Sequence, residues 1–145
     1  MQFRLWHVPI RLAAGAFILN SGLNKVRSDD DDVFKGVHGM ASTAYPQVSE
    51  VEPRTFVRAL GAAEVALGGA LLTPFVSPLV AGAGLTAFSA GLIGVYLRTP
   101  GMTEDGVRPS QQGMPLAKDS WLLSMGIALM MDGAAKKVRG ALPGS

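Results

Sequence analysis

The chain has no cysteine, only two histidines and few charges for its length. Without cysteine there is no disulfide, no thiol nucleophile and no thiolate metal site within it. His7 and His38 stand apart, and no spacing of histidines or carboxylates converges on an ion, so no metal site is expected. A nucleotide-binding glycine loop, a Ser–His–Asp set and a haem-ligand pair are missing as well, so neither a cofactor nor a catalytic residue is expected. The net charge of +2 is too small to argue for nucleic acid, and no basic run is interleaved with aromatics.

What is present is apolar. Hydrophobic residues make up 48% of the chain against 17% charged, and the charges gather in a few stretches that leave long apolar runs between them. With 145 residues there is room for one domain, spanning 1–145. The pattern predicts an all-α fold, a four-helix transmembrane bundle with a long loop between the first two spans. The first span runs from Trp6 to Leu23, with Trp6 as an interfacial anchor and Pro9 tolerated in the first turn. Pro9 and Arg11 interrupt what would be the apolar core of a cleavable signal, so this helix is read as retained. The second span runs from Phe56 to Leu72. The third, Val76 to Leu97, holds 22 residues without a charge. Its length of about 33 Å matches a hydrocarbon core of about 30 Å. The fourth, Ala117 to Met131, is the shortest and also reads as a soluble core helix.

The connections differ. Thr73 to Pro78 is tight and uncharged, which predicts an antiparallel hairpin of the second and third spans. The loop from Val26 to Thr55 carries the run Asp29 to Asp32, read as solvated, and a short amphipathic or re-entrant piece is expected at Val33 to Ala44. Thr99 to Pro115 is rich in Gly, Pro and Gln and is expected to be irregular. The basic tail with Lys136, Lys137 and Arg139 is expected to fray toward Ser145. An even number of spans puts both termini on one side. The cation totals favour the loops inside, the tail cluster favours the termini inside, and the orientation stays open.

The residue that stands out is Glu64. It interrupts a run apolar enough to enter a bilayer, and an ionisable group there normally faces protein and has a partner. Asn20 lies five residues before Lys25, about 7.5 Å in from the loop side. Glu64 lies six residues after Arg58, about 9 Å in from the same side. Depth therefore groups Asn20, Asn24, Lys25, Glu64, Lys118 and Asp119 at one end of the bundle. Two roles fit: a site for a ligand, proton or partner, or a polar cluster that holds three helices in register. Small residues dominate the middle spans. Gly61, Gly68, Gly69 and Gly91 define a face for close helix packing within the chain or for docking on another membrane protein.

Three stretches carry a resemblance: Arg11 to Gly15 followed by Ser21 to Lys25, then Ala63 to Gly69, then Lys118-Asp119. On these the chain resembles the DoxX-like family of small four-helix membrane proteins, and the long acidic loop departs from that family's compact pattern. The resemblance implies a four-helix bundle in the bacterial cytoplasmic membrane but no single function. Members are similar to subunits of quinone-linked oxidoreductases, thiol-stress complexes and envelope assemblies, and the missing cysteine speaks against a thiol role. The Ala/Gly/Val/Arg-rich style is similar to small actinobacterial envelope proteins. It implies a non-catalytic accessory subunit of a larger membrane complex, a lipid importer of the mammalian-cell-entry type. The alternatives are a membrane subunit of a quinone-linked oxidoreductase, with Glu64 and Lys25 near the quinone, and a lipid-binding bundle.

Overall fold

In the computed structural model, which describes residues 4–142, the chain is almost entirely helical. Four long helices dominate the described residues: α1 (His7–Arg27), α3 (Pro53–Leu72), α4 (Pro78–Arg98) and α6 (Asp119–Ala141). Between α1 and α3 lies a shorter helix, α2 (Asp31–Ala44), followed by a 3-10 turn (Pro46–Glu50). A single helical turn, α5 (Met114–Ala117), precedes α6.

The helix starts follow local chemistry. Proline occupies the first turn of α3 and α4, where its missing N–H costs nothing. The Ser77 side chain caps α4 by accepting from the Val80 amide. The aspartate run, expected to be solvated loop, builds the start of α2. Asp30 accepts from the Asp32 amide, and Asp31 and Asp32 sit in the first turn, where negative charge meets the positive end of the helix dipole.

The long helices associate as two antiparallel pairs, α1 with α3 and α4 with α6, each seamed by glycine. A methyl group added to Gly22 would stand 2.7 Å from the Gly61 carbonyl oxygen, and one added to Gly68 would stand 2.7 Å from the Leu19 amide nitrogen. In the other pair, a methyl on Gly82 would meet the Met130 amide at 2.7 Å, and one on Gly133 the Leu79 amide at 2.6 Å. Only glycine permits backbones this close. The buried residues of α3, Val57, Gly61, Glu64, Gly68 and Leu71, recur at alternating spacings of four and three. That spacing produces the shallow crossing of interlocking helices. A common apolar core joins the pairs, with Ala14 and Ile18 from α1, Leu71 from α3, Ala81 and Leu85 from α4, and Leu129 from α6.

Several expectations change. α3 and α4 follow one another through the 73–77 turn and touch near Leu67 and Gly84, but their extensive partners are α1 and α6. In the long loop after α1, the amphipathic piece expected at Val33 to Ala44 is present as the helix α2, which begins two residues earlier. α2 is amphipathic, buries Phe34 and Ala44, and packs on both α3 and α4. It is fastened at both ends. Asp29 bridges Arg54 and Arg58 of α3 at 3.1 and 3.0 Å, and the Tyr45 hydroxyl donates to the Gly91 carbonyl of α4 at 2.8 Å. The Gln/Gly/Pro-rich segment after α4 forms a small antiparallel hairpin, β1 (Thr103–Glu104) with β2 (Arg108–Pro109). Its turn places Asp105 and Gly106 at positive φ. The fourth long helix does not end at Met131: α6 continues through the basic tail to Ala141, ten residues further, and the fraying expected toward Ser145 falls on 143–145, outside the described residues.

Candidate functional site

Glu64 lies on the seam of α3, between Gly61 and Gly68, with 3% of its surface exposed. Lys25 reaches it from α1. The ammonium donates to Glu64 Oε2 at 3.0 Å and to Ser21 Oγ at 2.7 Å. The glycines make this geometry possible. A methyl on Gly61 would stand 2.8 Å from the Lys25 Cβ, so a larger residue there would push the lysine stem away from the carboxylate. The pair is a charge-assisted hydrogen bond in an enclosed place, where removal of either partner strands the other.

A cavity of about 220 Å³ adjoins the pair. Lys25, Glu64 and Ser21 form its polar wall, and Asp119 enters from the first turn of α6. Phe17, Phe88 and Leu92 supply apolar walls, and α5 adds Pro115 and Leu116 to the lining. Its volume falls below the roughly 300–1,000 Å³ of ordinary small-molecule sites. It accommodates water or a small ion beside a fixed charge pair. Among the described residues, no group of three or more histidines and carboxylates converges in a way that would hold a metal ion.

Three of the six residues grouped by depth therefore meet here: Lys25, Glu64 and Asp119. Asn20, Asn24 and Lys118 do not line the cavity and are exposed. The physical reason is azimuth. Gly22 marks the face of α1 that meets α3, and Asn20 and Asn24 each lie two residues away, about 200° around the helix. The glycine face divides in the same way. Gly61 and Gly68 pack against α1, whereas Gly69 and Gly91 have no neighbour within 4 Å of an added methyl. Gly69, one residue past Gly68, is turned about 100° from the seam and is exposed.

The opposite end of the bundle holds a second polar assembly that the depth argument missed. Arg11, buried on α1, donates from Nε to the Leu71 carbonyl at 2.8 Å. Its Nη2 reaches the carbonyls of Ala70, Thr73 and Val76 at 2.9, 2.7 and 3.0 Å. One guanidinium thus satisfies the free carbonyls at the end of α3 and fixes the turn into α4, where a cation also suits the negative end of the helix dipole. Arg4 hydrogen-bonds Asp132 of α6, and His7 Nε2 lies 3.1 Å from the other oxygen of that carboxylate. The signal was available. His7, Arg11, Ala14, Ile18, Gly22 and Lys25 repeat at spacings of three and four, so the face carrying Lys25 carries His7 and Arg11 at its other end.

Fold and site together define a small all-α protein with two long apolar helices, α3 and α4, each long enough to cross a bilayer, and with a buried charge pair between neighbouring helices. No family model, curated protein or solved structure matches the chain.

Proposed function

We propose that the chain is a multi-pass protein of the bacterial cytoplasmic membrane that serves as a non-catalytic accessory subunit of a larger complex. The observation that carries this reading is the outward apolar surface of α3 and α4. Only 28% and 33% of their apolar windows are buried within the chain. A soluble core helix buries most of such a window; these two leave most of theirs for lipid or another protein. Leu12, Phe17, Val80, Leu97, Ile127 and Met131 carry exposed apolar surface on α1, α4 and α6. Two of the inward charged groups, by contrast, are engaged within the chain: Lys25 with Glu64, and Arg11 with the end of α3. Such an interior favours holding helices in register over turning over a substrate. The resemblance to DoxX-like proteins supports four membrane spans, and the Ala/Gly/Val/Arg-rich style, similar to small actinobacterial envelope proteins, supports a lipid importer of the mammalian-cell-entry type as the complex.

The quinone alternative places a ring beside Lys25 and Glu64, where about 220 Å³ is tight for one. A pull-down of the tagged chain from native membranes in gentle detergent, followed by mass spectrometry, separates the readings. The expected result is a stoichiometric set of transporter subunits. Recovery with a quinone-linked oxidoreductase would establish the alternative, and recovery of the chain alone would overturn the accessory role.

A further inference from the structure

The end of the bundle opposite Glu64 opens into a cavity of about 550 Å³, within the range of small-molecule sites. Arg4, His7 and Arg11 line it from the start of the chain, and Asp132, Lys136 and Lys137 from α6. Among the described residues, the four basic side chains Arg4, Arg11, Lys136 and Lys137 therefore face one carboxylate, and Arg4 and His7 already engage that carboxylate. Arg11 is only 7% exposed and, among the described residues, has no carboxylate within ion-pairing distance; its hydrogen bonds all go to neutral carbonyls. A buried cation compensated by dipoles alone, beside a roomy opening with two further lysines, lacks an anion.

The rest of the lining is of a different kind. Pro74, Pro78, Leu79 and Val80 form an apolar wall, and Val80 is largely exposed. Nearby in the chain, Leu5 and Phe75 are 83% and 81% exposed, and Trp6 packs edge-on against His7. A tryptophan and exposed apolar side chains at the polar end of an apolar bundle mark the level of a membrane interface. Gly140, on the cavity wall with open space around it, leaves the mouth clear.

We propose that this cavity binds the phosphate head group of an anionic phospholipid. The cations take the phosphate, and the apolar wall of the 74–80 segment takes the first part of the acyl chains. The proposal rests on the membrane reading above. A basic pocket between helices is suited to such a head group through charge, and the apolar wall distinguishes a lipid from a free anion. Because Arg11 organises the α3–α4 turn, the exposed lysines are the residues to vary; they add charge without holding the fold.

The test uses the full chain in a zwitterionic detergent, with native mass spectrometry to titrate phosphatidylglycerol, phosphatidylcholine and inorganic phosphate. Phosphatidylglycerol is expected to bind in preference to phosphatidylcholine. The double variant Lys136→Gln/Lys137→Gln is expected to weaken that binding about 30-fold, since each cation at a membrane surface contributes about fivefold. Lys35→Gln, an exposed lysine of α2 at the far end, serves as control and is expected to leave binding unchanged. Equal binding of the two lipids, or unchanged phosphatidylglycerol binding in the double variant, overturns the proposal. Displacement of the lipid by millimolar inorganic phosphate overturns the lipid assignment in favour of a soluble phosphate. The membrane reading is checked separately by washing membranes with alkaline carbonate. A chain released by the wash refutes membrane insertion whatever the lipid titration shows.

Discussion

Lys25 and Glu64 have opposite consequences when removed singly and together. Glu64 is buried, so Lys25→Met leaves a carboxylate without its cation, and the expected loss is about 3 kcal/mol of stability. Replacing both, as Lys25→Met with Glu64→Leu, removes the desolvation problem with the charge, and the double variant is expected to recover most of that loss. Glu64→Gln falls between them because the amide still accepts a hydrogen bond from the lysine. Thermal unfolding in detergent measures all three. If the double variant is as unstable as the single, the pair does more than lock helices, and the adjoining cavity with Asp119 becomes a site for a ligand. Arg11 shows the same economy of polar groups, with one side chain serving four carbonyls around a turn.

At the level of helices, glycine positions separate into seam and outer surface. Gly22→Ala forces a methyl to within 2.7 Å of the Gly61 carbonyl oxygen, which α1 and α3 relieve only by moving apart. The expected cost is about 1–3 kcal/mol, typical of overpacking. Gly69→Ala meets nothing within 4 Å and is expected to be neutral or stabilising by up to about 1 kcal/mol through helix propensity. Comparing the two melting temperatures checks the assignment of faces; equal effects would refute it. The helix α2 is a second element-scale device. Asp29 ties one of its ends to α3, while Tyr45 and Arg98 tie the other to α4, so it bridges the two pairs at the loop side. Gly94 leaves room for the Tyr45 ring, whose hydroxyl would collide with any side chain there.

On the scale of the whole molecule, two tightly seamed pairs share one apolar core but fewer close backbone approaches. Cooperative units follow such boundaries. Amide hydrogen exchange in detergent is therefore expected to protect α1 with α3 and α4 with α6 as separate units. Gly22→Ala should accelerate exchange in α1 and α3 while α4 and α6 keep their protection. Uniform acceleration across all four long helices would show a single cooperative unit instead. The segment leading into α1 meets α6 at one end of the bundle, where Arg4 engages Asp132, and this places the basic cavity there and the Glu64 pair at the other end.

How far the sequence reached is clear from particular residues. Hydropathy and proline placement were enough to locate α3 and α4, because both are properties of a segment taken alone. Depth was legible in part: the rise per residue brought Asn20 and Glu64 to a similar level and grouped Lys25 with them at one end of the bundle, but the residue that meets Glu64 is Lys25 and not Asn20. Capping by the aspartates was present in the residue order of Asp30 to Asp32 but was outweighed by their charge. The extension of α6 past Met131 was obscured because Asp132, Lys136 and Lys137 end the apolar run without ending the helix. What the tertiary structure alone decided is rotation about each helix axis and the choice of partner. Those set Lys25 inward and Asn20 and Asn24 outward, joined α3 to α1 rather than chiefly to α4, and brought Arg11 under the end of α3. The physical reason is that a residue's depth depends on its own helix, whereas the face it presents acquires meaning only from the neighbour packed against it.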